Sequence, residues 1–108
     1  MTISQLVEEA HCTARMKGWH DDPRRFGEFV ALVHSELSEA LEAFRAGEGV
    51  AEWYAPQGKP EGIPVELADV VIRIADMCGY YGIDLEGAIA AKLRYNESRP
   101  YRHGGKTL

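Results

Sequence analysis

Four acidic residues at matching positions in two segments are the first candidates for chemistry in this sequence. Glu36 and Glu39 lie three residues apart within the letters ELSEAL, and Glu66 and Asp69 repeat this spacing within ELADVV. Carboxylates three residues apart share one face of a helix. Four carboxylates that are brought together repel one another, which raises their pKa values unless a cation lies among them. Oxygen ligands in this number suit Mg²⁺, or Mn²⁺ in its place, better than zinc.

The two acidic pairs have the same helical phase. Successive residues of a helix are about 100° apart around its axis. If Glu36 is set at zero, Glu39 lies at roughly 300° and the apolar face of that helix is centred at roughly 80°. If Glu66 is set at zero, Asp69 and the second apolar face lie at the same angles. The two apolar faces consist of Val33, Leu37, Ala40 and Phe44, and of Leu67, Val70, Ile74 and Met77. If these faces pack together in antiparallel fashion, both pairs can converge at one edge of the contact. A solvated border of charge on each helix explains the same pattern without a metal, so this alternative stays open.

Glycine and proline residues divide the chain into four predicted helices. These helices run from Thr2 or Ser4 to Gly18, from Asp22–Pro23 to Gly47 or Gly49, from Pro64 to Gly82, and from Asp84 to about Asn96. The intervening segment 48–62 is rich in proline and glycine, which predicts that it is mostly loop. Because no segment keeps the alternating pattern of a strand, the sequence predicts an all-α fold. Two long helices flanked by two shorter ones favour an antiparallel bundle of about four helices.

Length and composition narrow the class of protein. A chain of 108 residues predicts one domain, with residues 1–97 as a helical unit and 98–108 as a basic C-terminal tail. A content of 45% hydrophobic and 27% charged residues is ordinary for a soluble globular protein. The net charge of −5 argues against binding a nucleic acid polymer. No apolar run approaches the roughly 20 residues that span a bilayer, and no secretory signal pattern is present, so we expect no membrane association and a cytoplasmic location.

The acidic motifs and their flanking residues resemble the MazG-like, all-α nucleoside triphosphate pyrophosphohydrolases. The shared pattern is ExxE followed by ExxD, here separated by 26 residues. The segment KGWHDDPRRFGEFVALVHSELSEALEAFR resembles the first half of such a domain, and KLRYNESRPYRHGGK resembles its end. The latter includes a KxxxN motif, from Lys92 to Asn96. The resemblance covers the chain from about Lys17 to Lys106.

This resemblance implies a function and a set of site residues. The reaction would cleave a ribo- or deoxyribonucleoside triphosphate between its α- and β-phosphates, which releases the monophosphate and pyrophosphate, in nucleotide-pool house-cleaning. The four acids would hold Mg²⁺, and Glu39 would also take a proton from the attacking water. Lys92 and Asn96, helped by Arg99, would bind the phosphates or the sugar, and Lys92 would neutralise the leaving group. Such proteins work as homodimers or homotetramers whose sites can borrow residues from a neighbouring subunit.

Three residues near the acids, namely Trp19, Arg73 and Asp76, and one alternative function also need interpretation. Trp19 lies in a connecting segment, where it could stack on the base or only plug the end of the bundle. Arg73 and Asp76, three residues apart, are expected to form a surface ion pair, and the alternative is that Asp76 supports the metal ligands. The alternative function is a non-catalytic helical interaction module whose acidic edges bind a basic partner. Only the metal site requires the carboxylates of the two helices to converge.

Overall fold

The computed structural model describes residues 1–108 and is built mainly from helices. They are α1 (Ile3–Met16), α2 (Phe26–Arg45), α3 (Ile63–Tyr81), α4 (Leu85–Ser98) and the one-turn α5 (Arg102–Gly105). Two short strands, β1 (Trp53–Tyr54) and β2 (Glu61–Gly62), enclose a 3₁₀ turn at Pro56–Gly58. The prediction of an all-α chain with four main helices is therefore confirmed.

Capping residues fix three of the helix ends where the sequence predicts them. The Thr2 hydroxyl accepts a hydrogen bond from the Gln5 backbone N–H at 3.0 Å, and the Gln5 side chain accepts one from the Thr2 N–H at 2.7 Å. This reciprocal pair satisfies two backbone donors that a helix start leaves free. At the α3–α4 junction, Gly82 terminates α3 in the left-handed conformation and the Asp84 carboxylate caps α4. These helix boundaries follow from local chemistry.

The start of α2 differs from the prediction. The capping signal at Asp22–Pro23 predicts a helix there, but α2 begins at Phe26, after an extended Arg25 that makes no side-chain cap. The Tyr81 hydroxyl donates a hydrogen bond to the Arg24 carbonyl oxygen at 3.4 Å. The Arg24 guanidinium also lies 5.6 Å from the centre of the Phe29 ring. These contacts join Arg24 to the end of α3 and to the first turn of α2, so tertiary packing overrides the local capping preference.

Residues 48–62 form more structure than the predicted loop. Trp53 pairs with Gly62 and Tyr54 with Glu61 in a short antiparallel hairpin. Gly62 has a φ of +123°, and a Cβ atom at this position would lie 2.6 Å from the Glu52 carbonyl oxygen. Only glycine permits both this conformation and this close approach. The hairpin thus joins directly to α3 and lies beside the first turn of that helix.

Helix α3 is the centre of the fold, and α1 and α2 pack against it. The buried apolar residues are Phe29, Ala40, Ile63, Ala75 and Cys78. Helix α4 has no buried residue, and it touches α1 where the Glu86 carboxylate accepts a hydrogen bond from the Ser4 N–H at 3.2 Å. The radius of gyration is 16.5 Å, whereas a compact domain of this length has a value of about 13 Å. A single chain is therefore an open arrangement with α4 at its side.

An apolar stripe on α2 and α3 is left uncovered by the rest of the chain. Its side chains are Leu37, Leu41, Phe44, Leu67 and Val71, which are between 45% and 57% exposed. On each helix the stripe lies roughly 80–140° around the axis from the first glutamate of the acidic motif. Leu37 and Phe44 of α2 and Leu67 of α3 belong to the two faces that the sequence predicts to pack together, so these parts of the predicted contact are half exposed instead. Contiguous exposed apolar surface of this kind marks an interaction surface.

Candidate metal centre

The direction of α2 relative to α3 brings the two acidic motifs together. Glu36, in the middle of α2, contacts Arg73 in the second half of α3. Ala43, later in α2, shares a cavity with Val65 at the start of α3. The two helices therefore run in opposite directions, which is the arrangement that places their acidic borders on the same edge of the contact.

Three of the four predicted metal ligands converge closely. Glu36, Glu39 and Glu66 each offer a carboxylate oxygen, and these oxygens all lie within 4.8 Å of one another. Asp69 lines the same cavity but does not belong to this close group. Glu39 is exposed, while Glu36 and Glu66 are partly buried. The arrangement is thus a cluster of three carboxylates with a fourth at its border.

The electrostatics of the cluster favour a cation. Burial raises the pKa of Glu66 above its ordinary value, and close contact with the Glu39 carboxyl and the charges of the neighbouring acids raise it further. Burial likewise raises the pKa of Asp69, the charge of Glu36 adds to this effect, and Arg73 opposes it. The Glu66 Oε2 atom is buried and accepts no hydrogen bond from the protein. Since a buried acceptor without a partner is unfavourable, this oxygen fits a hard divalent cation.

Arg73 belongs to this cluster, contrary to the prediction of an Arg73–Asp76 surface pair. Its Nε atom donates a hydrogen bond to Glu36 Oε1 at 2.8 Å. Asp76 instead accepts hydrogen bonds from His11 and His20. The prediction is wrong because it considered spacing within α3 alone, whereas antiparallel packing places Glu36 of α2 opposite Arg73.

The cavity at the carboxylates has a volume of about 380 Å³ and extends to the hairpin. Lys59 is the one basic residue among those that line it, and its Nζ atom lies 3.9 Å from Glu61 Oε1. Tyr54 of β1 also lines this carboxylate cavity. Sequence reasoning missed Lys59, because the 48–62 segment was interpreted only as a loop. The available signal was a lysine seven residues before Glu66, within a turn-rich segment that leads into the acidic motif.

A larger cavity adjoins the first on the side of α1. Its volume is about 680 Å³, and it shares Asp69 with the carboxylate cavity. Its aromatic and apolar lining includes Phe29, Leu32 and Ile72. Trp19, which the sequence suggested as a base contact, also lines this aromatic cavity and is 64% exposed. The structure therefore places Trp19 in a cavity that adjoins the candidate metal centre.

The three predicted substrate residues near the C-terminus lie elsewhere. Lys92 and Asn96 are on α4, Arg99 caps its end, and none of them lines either cavity. The Lys92 ammonium lies 4.9 Å and the Arg99 guanidinium 5.5 Å from the centre of the Tyr95 ring. In a single chain, Lys92 and Arg99 therefore lie against the exposed Tyr95 ring and away from the carboxylate cavity.

Comparison of the chain with known protein families, with curated proteins and with solved structures finds no match. None of the helices has the length and apolar character needed to cross a membrane. The carboxylate cavity and the adjoining aromatic cavity are the features from which a function is inferred below.

Proposed function

We propose that the protein is a Mg²⁺-dependent nucleoside triphosphate pyrophosphohydrolase of the MazG-like type that its acidic motifs resemble. It would convert an NTP or dNTP to the monophosphate and pyrophosphate. The observation that carries this proposal is the convergence of Glu36, Glu39 and Glu66 from two helices around a buried, unpaired oxygen. Neither a solvated border of charge nor an acidic interaction module requires such convergence, and both would leave the carboxylates apart in water.

The residues present fit a hard divalent ion. Glu36, Glu39, Glu66 and Asp69 would hold Mg²⁺, and Mn²⁺ could replace it, because all the donors are carboxylate oxygens. When bound, the ion would polarise the attacked phosphoryl group and make a bound water more acidic. Its charge would also offset the repulsion that raises the pKa of Glu66 and Asp69.

Differences in solvation suggest separate roles for the carboxylates. Glu39 is the exposed member of the close group, so it can meet an incoming water and take its proton. The side chain of Glu36 is only 14% exposed and is held by Arg73. Glu36 and Glu66 are therefore better placed to bind the ion than to exchange protons with solvent. We accordingly assign Glu39 as the general base.

Basic residues must balance the charge of a triphosphate in this acidic surrounding. Lys59 already lines the carboxylate cavity, where it can approach a phosphate oxygen. Lys92, Asn96 and Arg99 would complete the site if they came from a neighbouring subunit. Positive charge at the leaving pyrophosphate stabilises the transition state more than the bound substrate.

A second copy of the chain is the proposed occupant of the exposed apolar stripe. Association of two chains through this stripe would involve the same two helices that carry the carboxylates. It would also bury apolar side chains that are about half exposed in the single chain. In the proposed homodimer or homotetramer, α4 of one subunit would lie near the carboxylates of its neighbour.

The base would lie in the aromatic cavity. This cavity shares Asp69 with the carboxylate cavity, so a triphosphate at the metal centre could extend its nucleoside between Trp19 and Phe29. Stacking on aromatic rings is available to every base. The walls therefore favour a nucleotide substrate over a simple phosphate ester.

The test is product analysis after incubation of the protein with Mg²⁺ and a panel of ribo-, deoxyribo- and modified triphosphates. We expect a monophosphate and pyrophosphate, and we expect Glu66→Gln to lower kcat/KM by more than about 100-fold, since even the partners of metal ligands contribute 10–100-fold. Glu42→Gln is the matched control, because Glu42 lies on α2 but is exposed and pairs with Arg45. Release of inorganic phosphate alone, or no turnover together with no Mg²⁺ binding by calorimetry, would contradict the proposal.

A further inference from the structure

Two histidines and an aspartate form a second cluster, separate from the four acids of the candidate metal centre. His11 Nδ1 lies 2.9 Å from Asp76 Oδ1, and His20 Nε2 lies 2.8 Å from the same oxygen and 3.0 Å from Oδ2. The three candidate ligand atoms all lie within 4.8 Å of one another. They come from three segments, namely α1, the α1–α2 connection and α3. The cluster is therefore made by the tertiary fold and by no single motif.

The surroundings hold both imidazole rings in place. A Cβ atom on Gly79 would lie 2.5 Å from His11 Cβ, so His11 rests directly on the backbone of α3, one turn after Asp76. The Tyr80 ring centre lies 4.9 Å from that of His20, and the Phe29 ring centre lies 5.8 Å from it. The His20 side chain is 8% exposed, and its interactions with polar groups of the protein pass through Nε2 alone. Rigid aromatic surroundings of this kind orient ligands and limit access of water.

The donor set differs in kind from that of the carboxylate cluster. Imidazole nitrogens prefer Zn²⁺ and neighbouring first-row transition metals, while carboxylates alone suit Mg²⁺ and Mn²⁺. Two imidazoles and one carboxylate also leave a fourth position free on a tetrahedral ion. In a tetrahedral zinc site with bonds of about 2.0–2.1 Å, neighbouring ligand atoms are about 3.3 Å apart. The two nitrogens now lie 2.9 Å and 2.8 Å from Asp76 Oδ1, so each distance would lengthen by only about half an ångström.

We propose that His11, His20 and Asp76 form a second metal site, selective for Zn²⁺ or a similar transition-metal ion. The ion would join α1 and the α1–α2 connection to α3. Because His20 and Asp76 line the aromatic cavity, the free coordination position would be accessible from that side. Trp19 precedes His20 directly, so the ion would also fix the wall of this cavity. The site is independent of the proposed hydrolase activity.

The direct test is to titrate the full-length wild-type protein with Zn²⁺ and to record the ¹⁵N resonances of the histidine rings. We expect shifts that identify His11 Nδ1 and His20 Nε2 as the coordinated nitrogens, with the ring proton moved to the other nitrogen in each case. His34 and His103 should show no such change. Unchanged rings of His11 and His20 at saturating Zn²⁺ would overturn the proposal without any variant.

Variants then identify the residues that bind the Zn²⁺ detected by calorimetry. His20→Gln and Asp76→Asn should each lower Zn²⁺ affinity by more than about 100-fold, since even loss of a ligand's hydrogen-bond partner costs 10–100-fold. His34→Gln, which removes an exposed histidine of α2, should retain wild-type affinity. The Glu66→Gln protein should still bind one Zn²⁺ per chain, and excess Mg²⁺ should not displace it. Zinc binding that is lost in Glu66→Gln but kept in His20→Gln would assign the ion to the carboxylates and refute the second site.

Discussion

Arg73 on α3 donates a hydrogen bond through Nε to Glu36 Oε1 on α2 at 2.8 Å. This contact crosses the helix pair at the edge where the acidic motifs meet, and it supplies positive charge to a cluster of negative groups. In the absence of a metal, Arg73 is the basic residue that contacts the cluster directly. Burial and the neighbouring acids raise the pKa of Asp69, and the Arg73 guanidinium opposes this rise.

Arg73→Ala should destabilise the metal-free protein by about 1 kcal/mol, because it leaves a largely buried carboxylate without its partner. Added Mg²⁺ should reduce this loss, since the ion replaces the missing positive charge. Urea unfolding with chelator and with Mg²⁺ measures both effects. Arg45→Ala is the control: its partner Glu42 is 67% exposed, and loss of an exposed pair costs about 0–1 kcal/mol. Equal losses in both variants, or a loss unaffected by Mg²⁺, would contradict the assignment.

Glu66→Gln should change how stability depends on pH. Burial and neighbouring acids raise the pKa of Glu66 in the folded chain above 4.5, its ordinary value. A raised pKa means that the folded chain holds the Glu66 proton more tightly than the unfolded chain does. The stability that this supplies is present at pH values below the ordinary pKa, and it is lost as the pH rises through the pKa of the folded chain. In chelator, the variant should therefore be more stable than the wild type at pH 7.5, and the difference should shrink as the pH falls toward 4.5.

Mg²⁺ should reverse the order of these two proteins. Binding to the folded wild type adds stability that the variant cannot gain in full. The measurement is the free energy of unfolding at several pH values with and without the ion. A difference between the two proteins that is constant across the pH range would show that Glu66 is an ordinary solvated acid.

Gly79→Ala should destabilise the fold by about 1–3 kcal/mol, because the added methyl group forces His11 away from α3. The clash involves the Cβ atom of His11, which cannot rotate away as the end of a flexible side chain could. Gly27→Ala is the matched control, since no atom lies within 4 Å of the Cβ position there. That variant should gain about 0.4–1 kcal/mol through restriction of the unfolded chain. Thermal unfolding compares the two, and similar shifts in both would refute the close contact.

Trp19→Ala should raise KM for the preferred nucleotide roughly tenfold, as expected for loss of a stacking partner worth about 1–3 kcal/mol. The value of kcat should change little, because the variant leaves the proposed catalytic carboxylates unchanged. Trp53→Ala tests specificity, since Trp53 is 61% exposed in the hairpin and lines neither cavity. If both variants raise KM alike, the aromatic cavity is not the base site.

Mixing two inactive variants tests whether Lys92 acts across a subunit boundary. In a dimer formed from Lys92→Ala and Glu39→Gln chains, one site would combine intact carboxylates with the partner's Lys92. If the subunits exchange at random, about half of the dimers are mixed and each mixed dimer has one intact site. The mixture should then regain about a quarter of wild-type turnover. A mixture of Glu39→Gln with Glu66→Gln should restore none, because both changes affect carboxylates of one chain. No recovery in the first mixture would place Lys92 in its own chain's site or outside any site.

Local chemistry explains which features of this protein could be predicted from its sequence. Thr2, Gly82 and Asp84 mark helix ends because caps act over three or four residues, which a sequence displays directly. The common phase of Glu36 and Glu66 relative to their apolar faces follows from the helical repeat alone. The all-α class and the candidate set of carboxylates could therefore be inferred before any contact between helices was known.

The contacts between residues that are distant in sequence depend on how the helices pack. Asp76 contacts His11, 65 residues away in sequence, and His20, 56 residues away. Arg73 forms its hydrogen bond with Glu36 on another helix and not with Asp76 on its own helix. Helical spacing predicts neighbours on one helix, and it carries no information about which face of a second helix lies opposite. Packing of α1 and α2 on α3 sets these pairs, because buried polar groups take whichever partners the packed helices bring within hydrogen-bonding distance.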